Sequence, residues 1–276
     1  MSLSSEQLNQ YEQDGFLCPV DVFGDFEAAR LRRELEGLEA RASAVQDNAA
    51  ALRNNSHWVA PWFDDLIRDP NIINPIASIL GPNLLVLSVD LFIKEPQEPK
   101  FISWHQDLHY WGLDSEDEVT AWLALTPATL KSGCMRYLPG SHKTIVEHQD
   151  TFAAENMLTR GQEVTVEVDE SEAVAAELQP GQMSLHHGRL FHASAANESC
   201  DRRIGIAIRY ISPSVGLANN GVKLGASLVH GEDTYGHFDL VRPPTRDFDP
   251  ISMKNWKRLR GIQEEILFAG VNREAS

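Results

Sequence analysis

The sequence has few cysteines and no long apolar run, and each shortage excludes a class of protein. Its only cysteines, Cys18, Cys134 and Cys200, are far apart and form no C-x-x-C pair. They therefore predict neither a disulfide framework nor a zinc ribbon, and a reducing, cytoplasmic compartment fits them best. No apolar stretch approaches the ~20 residues of a membrane helix, and the polar start MSLSSEQLNQ lacks the features of a secretory signal. We therefore expect no membrane partner.

Positive charge is also scarce. Lys and Arg number 24 against 40 Asp and Glu, which gives a formal net charge of −16 at pH 7. Nucleic acids and anionic membranes are captured by a basic face, so we expect neither as a partner. The composition is otherwise that of an ordinary globular chain, with 42% hydrophobic residues in 276. We expect a small-molecule ligand and a monomer or a homodimer.

Helical patterns occupy the beginning and the end of the chain. Ser4 and Ser5 followed by EQLNQYEQ predict a short capped helix, and a second helix is predicted to begin at Asp25. Residues 46–65 mix polar residues with aromatics, which is typical of a loop. The stretch DPNIINPIASILG predicts a helix that ends at Gly81, and helical spacing returns over about 249–268.

Strand patterns fill the middle of the chain. Short apolar or alternating runs lie at 84–94, 101–105, 119–125, 134–139, 163–168, 182–187 and 203–211. Since no helical pattern separates them, they favour an antiparallel sandwich or barrel over a parallel sheet. The simplest organisation is one domain over residues 1–276. Its parts are N-terminal helices over about 4–80, a β core over about 84–212, and a C-terminal loop and helix over about 213–276.

The most informative stretch is SWHQDLHYWG, in which His105 and Asp107 stand two residues apart at the end of a predicted strand. Strand alternation points both side chains to one face, so that they can reach one ion. The segment LHHGRLFHASAANES offers His186, His187 and His192 as a third ligand. Two histidines and one carboxylate on one face of an octahedral ion are typical of non-haem Fe(II) oxygenases. An H-x-D pattern by itself is also common among hydrogen-bonded surface pairs.

A second feature favours an oxygenase. A 2-oxo diacid on such an iron needs a partner for its distal carboxylate, and the fork of an Arg matches that group best. The run RIGIAIRYI starts with Arg203, and Gly205 and Ala207 on the same face leave room beside it. Ile204, Ile206 and Ile208 point the other way, into packing. From alternation alone it stays open whether Arg202, Arg203 and Arg209 are instead solvated charges at the strand ends.

Three motifs in this order, WHQD, GCMRYLPGSHK and HASAANESCDRRIGIAIRY, resemble the phytanoyl-CoA dioxygenase family of Fe(II)/2-oxoglutarate oxygenases, a group that includes ectoine hydroxylases. The resemblance runs from EQLNQYEQDGFL to Tyr210. It implies a mainly β fold with flanking helices around a double-stranded β-helix, that is, a jelly-roll, cupin-like core. It also implies Fe(II) as the cofactor and 2-oxoglutarate and O2 as co-substrates, with ascorbate supporting activity.

The resemblance also assigns roles to single residues. The family's H-x-D falls on His105 and Asp107 and its distal His falls on His192, so these three are the implied metal ligands and catalytic centre. The Arg eleven residues after the distal His, which binds 2-oxoglutarate in the family, falls on Arg203. Ser194, two residues after the distal His, is implied to assist the same carboxylate.

Other positions near the motifs have two interpretations each. Gln106 points away from the ligands by alternation, although relatives sometimes use this position to contact 2-oxoglutarate. Lys94, which closes the LFIK run, either supports a co-substrate carboxylate or ends a strand. Trp111 resembles the pocket aromatic of the ectoine hydroxylases but also suits a core. His187 suits a packed strand better than the metal site, and His142 suits a turn.

The candidate substrate residues mix aromatic side chains with a few polar groups, which fits a small or medium-sized amphipathic metabolite. The main candidates are Trp111, His109, Trp58, Trp62, Met135 and Phe191. Further candidates are Tyr110, Arg136, Arg189, Tyr235, His237 and Phe238. The negative net charge counts against an acyl-CoA ester.

Together with the resemblance, these residues predict a dioxygenase that hydroxylates an unactivated C–H bond of such a metabolite and releases succinate and CO2. Halogenases of this framework replace the carboxylate by Gly or Ala, whereas Asp107 is present here. Desaturation, epoxidation or cyclisation stay open, because they depend on the pose of the substrate. Two other classes of protein also stay open. One is a non-catalytic jelly roll that binds a metal and a small molecule, and the other is a zinc hydrolase, which has no obvious use for Arg203.

Overall fold

The protein is described by a computed structural model that covers residues 2–218 and 222–268. Met1 and the end of the predicted C-terminal region, residues 269–276, lie outside the described residues, as do residues 219–221. Among the helices within the described ranges, none is both long and apolar enough to cross a membrane.

Helices lie at both ends of the chain and strands lie between them. The helices are α1 (Ser5–Asp14), α2 (Asp25–Ala42), α3 (Gln46–Arg53), α4 (Pro61–Leu66), α5 (Pro70–Leu80) and α6 (Pro250–Leu267). The strands are β1 (Phe16–Asp21), β2 (Leu84–Lys94), β3 (Ile102–His105), β4 (Glu118–Ala124), β5 (Met135–Tyr137), β6 (His148–Asp150), β7 (Gln162–Val164), β8 (Val174–Ala176), β9 (Gln182–His186), β10 (His192–Ser194), β11 (Arg203–Ile211), β12 (Gly225–His230) and β13 (Asp239–Leu240).

Two sheets form the β core. The larger sheet has the strand order β1-β9-β4-β11-β2-β12-β13, and the smaller has the order β3-β10-β5-β8. Neighbouring strands are antiparallel except for the β12–β13 pair. Side chains from both sheets, including Phe16, Trp122 and Tyr137, share one hydrophobic cluster, so the sheets face each other as a sandwich. The mainly β fold with flanking helices and a jelly-roll core is confirmed.

Helices cover the outer face of the larger sheet. Three isoleucines of β11, Ile204, Ile206 and Ile208, point to this face and are fully buried. They share the largest hydrophobic cluster with Leu35 of α2 and Ile76 of α5. The opposite face of β11 is therefore the one that looks into the sandwich, as the alternation of RIGIAIRYI predicts.

The helix ends follow their sequence signals. Ser4 accepts a hydrogen bond from the Gln7 amide at 3.2 Å, and the Gln7 side chain accepts one from the Ser4 amide at 2.9 Å, which forms a capping box at the start of α1. At the start of α5, Asp69 accepts from the Asn71 amide, and Gly81 follows the last helical residue.

The prediction of a loop over 46–65 is wrong. This segment forms α3, a 3-10 helix over Ser56–Trp58, and α4. Three consecutive alanines and Leu52 give α3 high helix propensity, and Ala51 and Leu52 are buried. Pro61 stands in the first turn of α4, where a missing amide hydrogen is tolerated.

The β core also extends beyond the predicted range of 84–212. Strand β1, which pairs with β9, and strand β12, which pairs with β2, are both part of the larger sheet. Their sequences, FLCPVD and GASLVH, are short and partly polar, so they lack the clear alternation that marks β2 and β11.

Candidate metal centre

Three side chains converge where the WHQD motif meets the start of the HASAANESCDRRIGIAIRY motif. His105 ends β3 and His192 begins β10, and the two residues are direct partners in the antiparallel pairing of these strands. Asp107 opens a 3-10 turn over Asp107–Tyr110 immediately after β3. One ligand atom from each of the three residues lies within 4.8 Å of the others, and all three residues are buried. The predicted triad is thus brought together by strand pairing.

Backbone carbonyls orient both imidazoles. Nδ1 of His105 lies 2.9 Å from the Ser103 carbonyl oxygen, and Nδ1 of His192 lies 2.9 Å from the Leu190 carbonyl oxygen. Because a carbonyl can only accept, each Nδ1 carries the proton and each Nε2 keeps its lone pair. The two rings lie 4.0 Å apart between centroids. Burial, and next to it the neighbouring His105, lower the pKa of His192 to about 4, so this ring is neutral at pH 7.

Asp107 supplies the negative charge of the set. Its Oδ1 lies 3.4 Å from Nε2 of His105, and its Oδ2 lies 3.6 Å from Nε of Arg209. Burial raises the pKa of Asp107, but the charge of Arg209 outweighs burial and holds the pKa well below the ordinary value. The carboxylate is therefore ionised, as a ligand of a divalent cation must be.

A narrow, largely apolar compartment of about 30 Å³ lies between the sheets beside the triad. Arg203 enters it from β11 and is only 1% exposed. Its Nη1 donates to the Gly133 carbonyl at 2.9 Å, whereas Nε and Nη2 have no hydrogen-bond partner among the described residues. The Trp122 ring centroid lies 5.2 Å from the guanidinium carbon. Burial lowers the pKa of Arg203 to about 10, so it stays charged at pH 7.

Lys94 and Ser194 lie beside this compartment as a bonded pair. Nζ of Lys94 donates to Oγ of Ser194 at 2.6 Å and to the Ala195 carbonyl at 2.5 Å. Burial, followed by the nearby Arg203, lowers the pKa of Lys94 to about 6. Arg202 differs completely, because it points to the surface and pairs with Glu39 and Glu95. The structure thus places Arg203, and not Arg202, inside the sandwich.

A larger cavity of about 470 Å³ opens on the other side of the triad. His105 and Asp107 form part of its wall, next to Trp111 and Arg209. The opposite wall comes from outside the β core, and its residues are Arg53, Asn54, Asn55, Arg260, Gln263 and Glu264. The sequence gives no local signal for these residues, because they gather at the cavity only when α3 and α6 pack on the sandwich.

The side chain of Gln106 is hydrogen-bonded to two backbone carbonyl groups and does not line either cavity. Its Nε2 donates to the carbonyls of Thr144 and Arg189 at 2.8 and 2.6 Å, and its amide donates to Nε2 of His148 at 3.0 Å. The suggestion that Gln106 contacts 2-oxoglutarate is therefore corrected: its side chain anchors the turn between His105 and Asp107. His187 and His142 lie outside both cavities as well, with ring centroids 5.3 Å apart.

The substrate candidates separate into two groups. Trp111 lines the larger cavity and Met135 lines the narrow compartment. Trp58 and Trp62 are instead packed in hydrophobic clusters, Trp58 with Trp256 and Trp62 with the large cluster under α2. Their assignment to the substrate pocket is corrected, since sequence alone does not distinguish a core tryptophan from a pocket one.

Two further candidates are also corrected. Phe191 is buried, and its amide is bonded to Oγ of Ser141, away from both cavities. His109 stacks on His148 at 4.3 Å, one residue before the cavity residue Tyr110, and does not itself line the wall. Five of the further candidates also lie outside both cavities: Arg136, Arg189, Tyr235, His237 and Phe238.

A jelly roll that presents two imidazoles and a carboxylate beside a buried Arg has the architecture of the non-haem Fe(II) oxygenases that use a 2-oxo acid. The chain belongs to the phytanoyl-CoA dioxygenase (PhyH) family, whose profile matches residues 11–205. This match confirms the resemblance found in the motifs.

Relatives of this chain cover most of its length. A probable alpha-ketoglutarate-dependent hypophosphite dioxygenase of Stutzerimonas stutzeri is 26% identical over 272 residues, which are 90% of this chain and 93% of that protein. The peroxisomal phytanoyl-CoA dioxygenase of Bos taurus is 27% identical over 233 residues, covering 75% and 68% of the two chains. Among solved structures, the non-haem monooxygenase ThoJ has a TM-score of 0.85 at 33% identity, with 95% and 98% of the two chains covered.

Proposed function

We propose that this protein is a non-haem Fe(II)- and 2-oxoglutarate-dependent dioxygenase that hydroxylates an unactivated C–H bond of a small or medium-sized metabolite and releases succinate and CO2. The observation that carries the proposal is the convergence of His105, Asp107 and His192 beside the buried guanidinium of Arg203. Membership of the PhyH family supports it, as does the similar ThoJ monooxygenase, of which a nickel complex is known.

The donor set of the triad fits a divalent iron. Nε2 of His105, Nε2 of His192 and one carboxylate oxygen of Asp107 would hold the ion, which leaves further coordination positions open. The hydrogen bonds of both Nδ1 atoms keep the rings in the tautomer and orientation that such binding needs. When bound, Fe(II) supplies the activation of O2 at the expense of a 2-oxo acid, chemistry that no side chain provides.

The narrow compartment fits the distal carboxylate of 2-oxoglutarate. Nε and Nη2 of Arg203 are buried donors without a partner among the described residues, and an unpaired buried donor costs about 1–3 kcal/mol. A carboxylate there would accept from both and form the bidentate pair that Arg favours. Lys94 and Ser194 lie beside this guanidinium, and a bound anion would favour the charged, ammonium form of Lys94.

The larger cavity fits a substrate with an apolar part and a polar part. Its lining includes the apolar side chains of Trp111, Phe92 and Leu158, and the last two also line the narrow compartment beside the triad. The far wall offers guanidinium, amide and carboxylate groups from α3 and α6. A small or medium-sized amphipathic metabolite would place its apolar carbon toward His105 and Asp107 and its polar end on that wall.

We also keep the expectation of a cytoplasmic enzyme. Cys18, Cys134 and Cys200 are all unpaired, which agrees with a reducing compartment.

Succinate release tests the proposed function. Purified protein with Fe(II), 2-oxoglutarate, ascorbate and O2 should convert 2-oxoglutarate to succinate, and a screen of amphipathic metabolites should identify a substrate that raises the rate and gains one oxygen atom by mass spectrometry. If no succinate appears above the protein-free background for any candidate, a non-catalytic binding protein is favoured instead. Activity with zinc alone would favour a hydrolase.

The co-substrate site has its own test in Arg203→Lys. Lysine keeps the charge but loses the fork, so we expect the KM for 2-oxoglutarate to rise at least ~10-fold, the equivalent of about 1.4 kcal/mol. The matched control is Arg202→Lys, because the neighbouring Arg202 is held by surface ion pairs with Glu39 and Glu95. Equal KM values for the two variants would contradict the assignment of Arg203.

A further inference from the structure

Arg209 lies between the two cavities and contributes to the wall of both. It stands on the same face of β11 as Arg203 and is 8% exposed. Its Nη1 forms an ion pair with Asp90 of the neighbouring strand β2 and donates to Oγ of Ser88 at 3.2 Å. The Trp111 ring lies over the guanidinium, with the ring centroid 5.0 Å from its carbon. The side chain is therefore held from several directions.

The free edge of this guanidinium faces the metal carboxylate. Nε of Arg209 is buried and has no hydrogen-bond partner among the described residues, and it lies 3.6 Å from Oδ2 of Asp107. The other oxygen of the same carboxylate, Oδ1, lies 3.4 Å from Nε2 of His105. The two oxygens of Asp107 are thus directed at different partners, one toward the triad and one toward Arg209.

We propose that Arg209 is a positioning residue that holds Oδ2 of Asp107 and thereby presents Oδ1 to the metal ion; this inference rests on the function proposed above. A carboxylate with one oxygen engaged by a guanidinium has one oxygen left for the ion and a fixed plane. Loss of such an outer partner typically lowers metal affinity 10- to 100-fold.

The negative charge of Asp90 allows the Arg209 guanidinium to lie close to the proposed metal site. An uncompensated guanidinium 3.6 Å from a metal ligand would repel a divalent ion. The ion pair with Asp90 offsets that charge, so that Arg209 contributes direction with little net repulsion. The further carboxyl group near Arg209 is Glu118, whose pKa burial raises to about 8, so it is largely protonated at pH 7.

The experiment measures Mn(II) and Co(II) binding to the full chain under anaerobic conditions, without 2-oxoglutarate or substrate. We expect Arg209→Met to raise the Kd for both ions 10- to 100-fold. The Co(II) d–d spectrum of this variant should shift toward that of Asp107→Ala, because the carboxylate no longer keeps its orientation. A merely structural role would lower the stability of the variant and leave the spectrum of its folded fraction unchanged.

Asp90→Asn provides a second variant, since Asp90 is more exposed and its replacement is milder for folding. It removes the partner that holds and neutralises Arg209, so we expect the Kd for Mn(II) to rise several-fold. Arg202→Met is the matched control and should bind both ions like the wild type, since Arg202 lies on the surface away from the triad.

Wild-type affinity and a wild-type Co(II) spectrum in a folded Arg209→Met protein would overturn the inference. If that variant does not fold, wild-type Mn(II) affinity in Asp90→Asn overturns it instead. A different result would refute the proposed function alone. If Arg209→Met binds Mn(II) more weakly than the wild type but the wild type releases no succinate, the protein is not a 2-oxoglutarate-dependent oxygenase, and the inference that Arg209 positions Asp107 still holds.

Discussion

Gly205 is the position where one added methyl group should disturb the co-substrate site. It lies on the inner face of β11 between Arg203 and Ala207, two residues from each. A Cβ at this position would lie 1.8 Å from Cζ2 of Trp122 and 2.3 Å from its Cε2. Ordinary van der Waals contact begins at about 3.4 Å, so the indole would have to retreat by about 1.6 Å. A rigid ring inside a packed cluster has little freedom to do so.

The displacement of Trp122 would also move the Arg203 guanidinium, the proposed partner of the distal carboxylate of 2-oxoglutarate. The same ring packs on the Arg203 guanidinium, with 5.2 Å between the ring centroid and the guanidinium carbon. Overpacking of this kind costs about 1–3 kcal/mol of stability. Each charge-assisted hydrogen bond lost between Arg203 and the co-substrate costs a further ~1.5–3 kcal/mol of the binding free energy. We therefore expect Gly205→Ala to weaken 2-oxoglutarate binding at least ~10-fold.

Two measurements check this prediction. Urea unfolding followed by circular dichroism gives the change in stability, and titration of the Mn(II)-loaded protein with 2-oxoglutarate gives the change in affinity. Gly261→Ala is the matched control, because a Cβ there meets nothing within 4 Å and Gly261 lies inside α6, where Ala should stabilise by up to ~1 kcal/mol. A Gly205→Ala protein with wild-type affinity for 2-oxoglutarate would refute the account of the compartment.

Two other predictions concern the triad and acid stability. Asp107→Ala should remove measurable succinate release while the protein stays folded by circular dichroism; retained full activity would refute the metal assignment. Burial, followed by the Arg68 charge, lowers the pKa of His57 to about 3, against 6.5 in the unfolded chain, so only the unfolded chain binds this proton between those values. Stability should therefore fall as the pH drops below 6.5, by about 1.4 kcal/mol per pH unit for this residue. In His57→Leu, the free energy of unfolding should depend less steeply on pH over this range, by up to one bound proton. An unchanged pH dependence would contradict the low pKa of His57 in the folded protein.

The parts of the fold that could be predicted are those with a strong local pattern. The runs at 84–94 and 203–211 match β2 and β11 residue for residue, because long strands buried on both faces read as nearly continuous apolar sequence. Strand β10 has only three residues, and no periodicity is visible over so short a length. The sequence therefore predicts no strand there, and the family motif identifies only its first residue, His192.

The candidate site shows the same division. His105 and Asp107 are close in sequence, so their common direction follows from strand geometry. The Arg209–Asp90 pair joins two strands that are far apart in the chain, and no single-sequence pattern reports that pairing. The polar wall from α3 and α6 is a product of tertiary packing for the same reason. Trp58 lies in the core and not at a cavity, a difference that composition does not reveal for an aromatic side chain.

The most direct test of the central claim is the visible spectrum of the Fe(II)-loaded protein when 2-oxoglutarate is added without oxygen. A 2-oxo acid that chelates Fe(II) produces a metal-to-ligand charge-transfer band. We predict this band for the wild type, its loss in Asp107→Ala, and a higher 2-oxoglutarate concentration at half-saturation in Arg203→Lys. A wild-type protein that binds Fe(II) but gives no band with 2-oxoglutarate would contradict the claim that His105, Asp107, His192 and Arg203 form a 2-oxoglutarate-dependent iron centre.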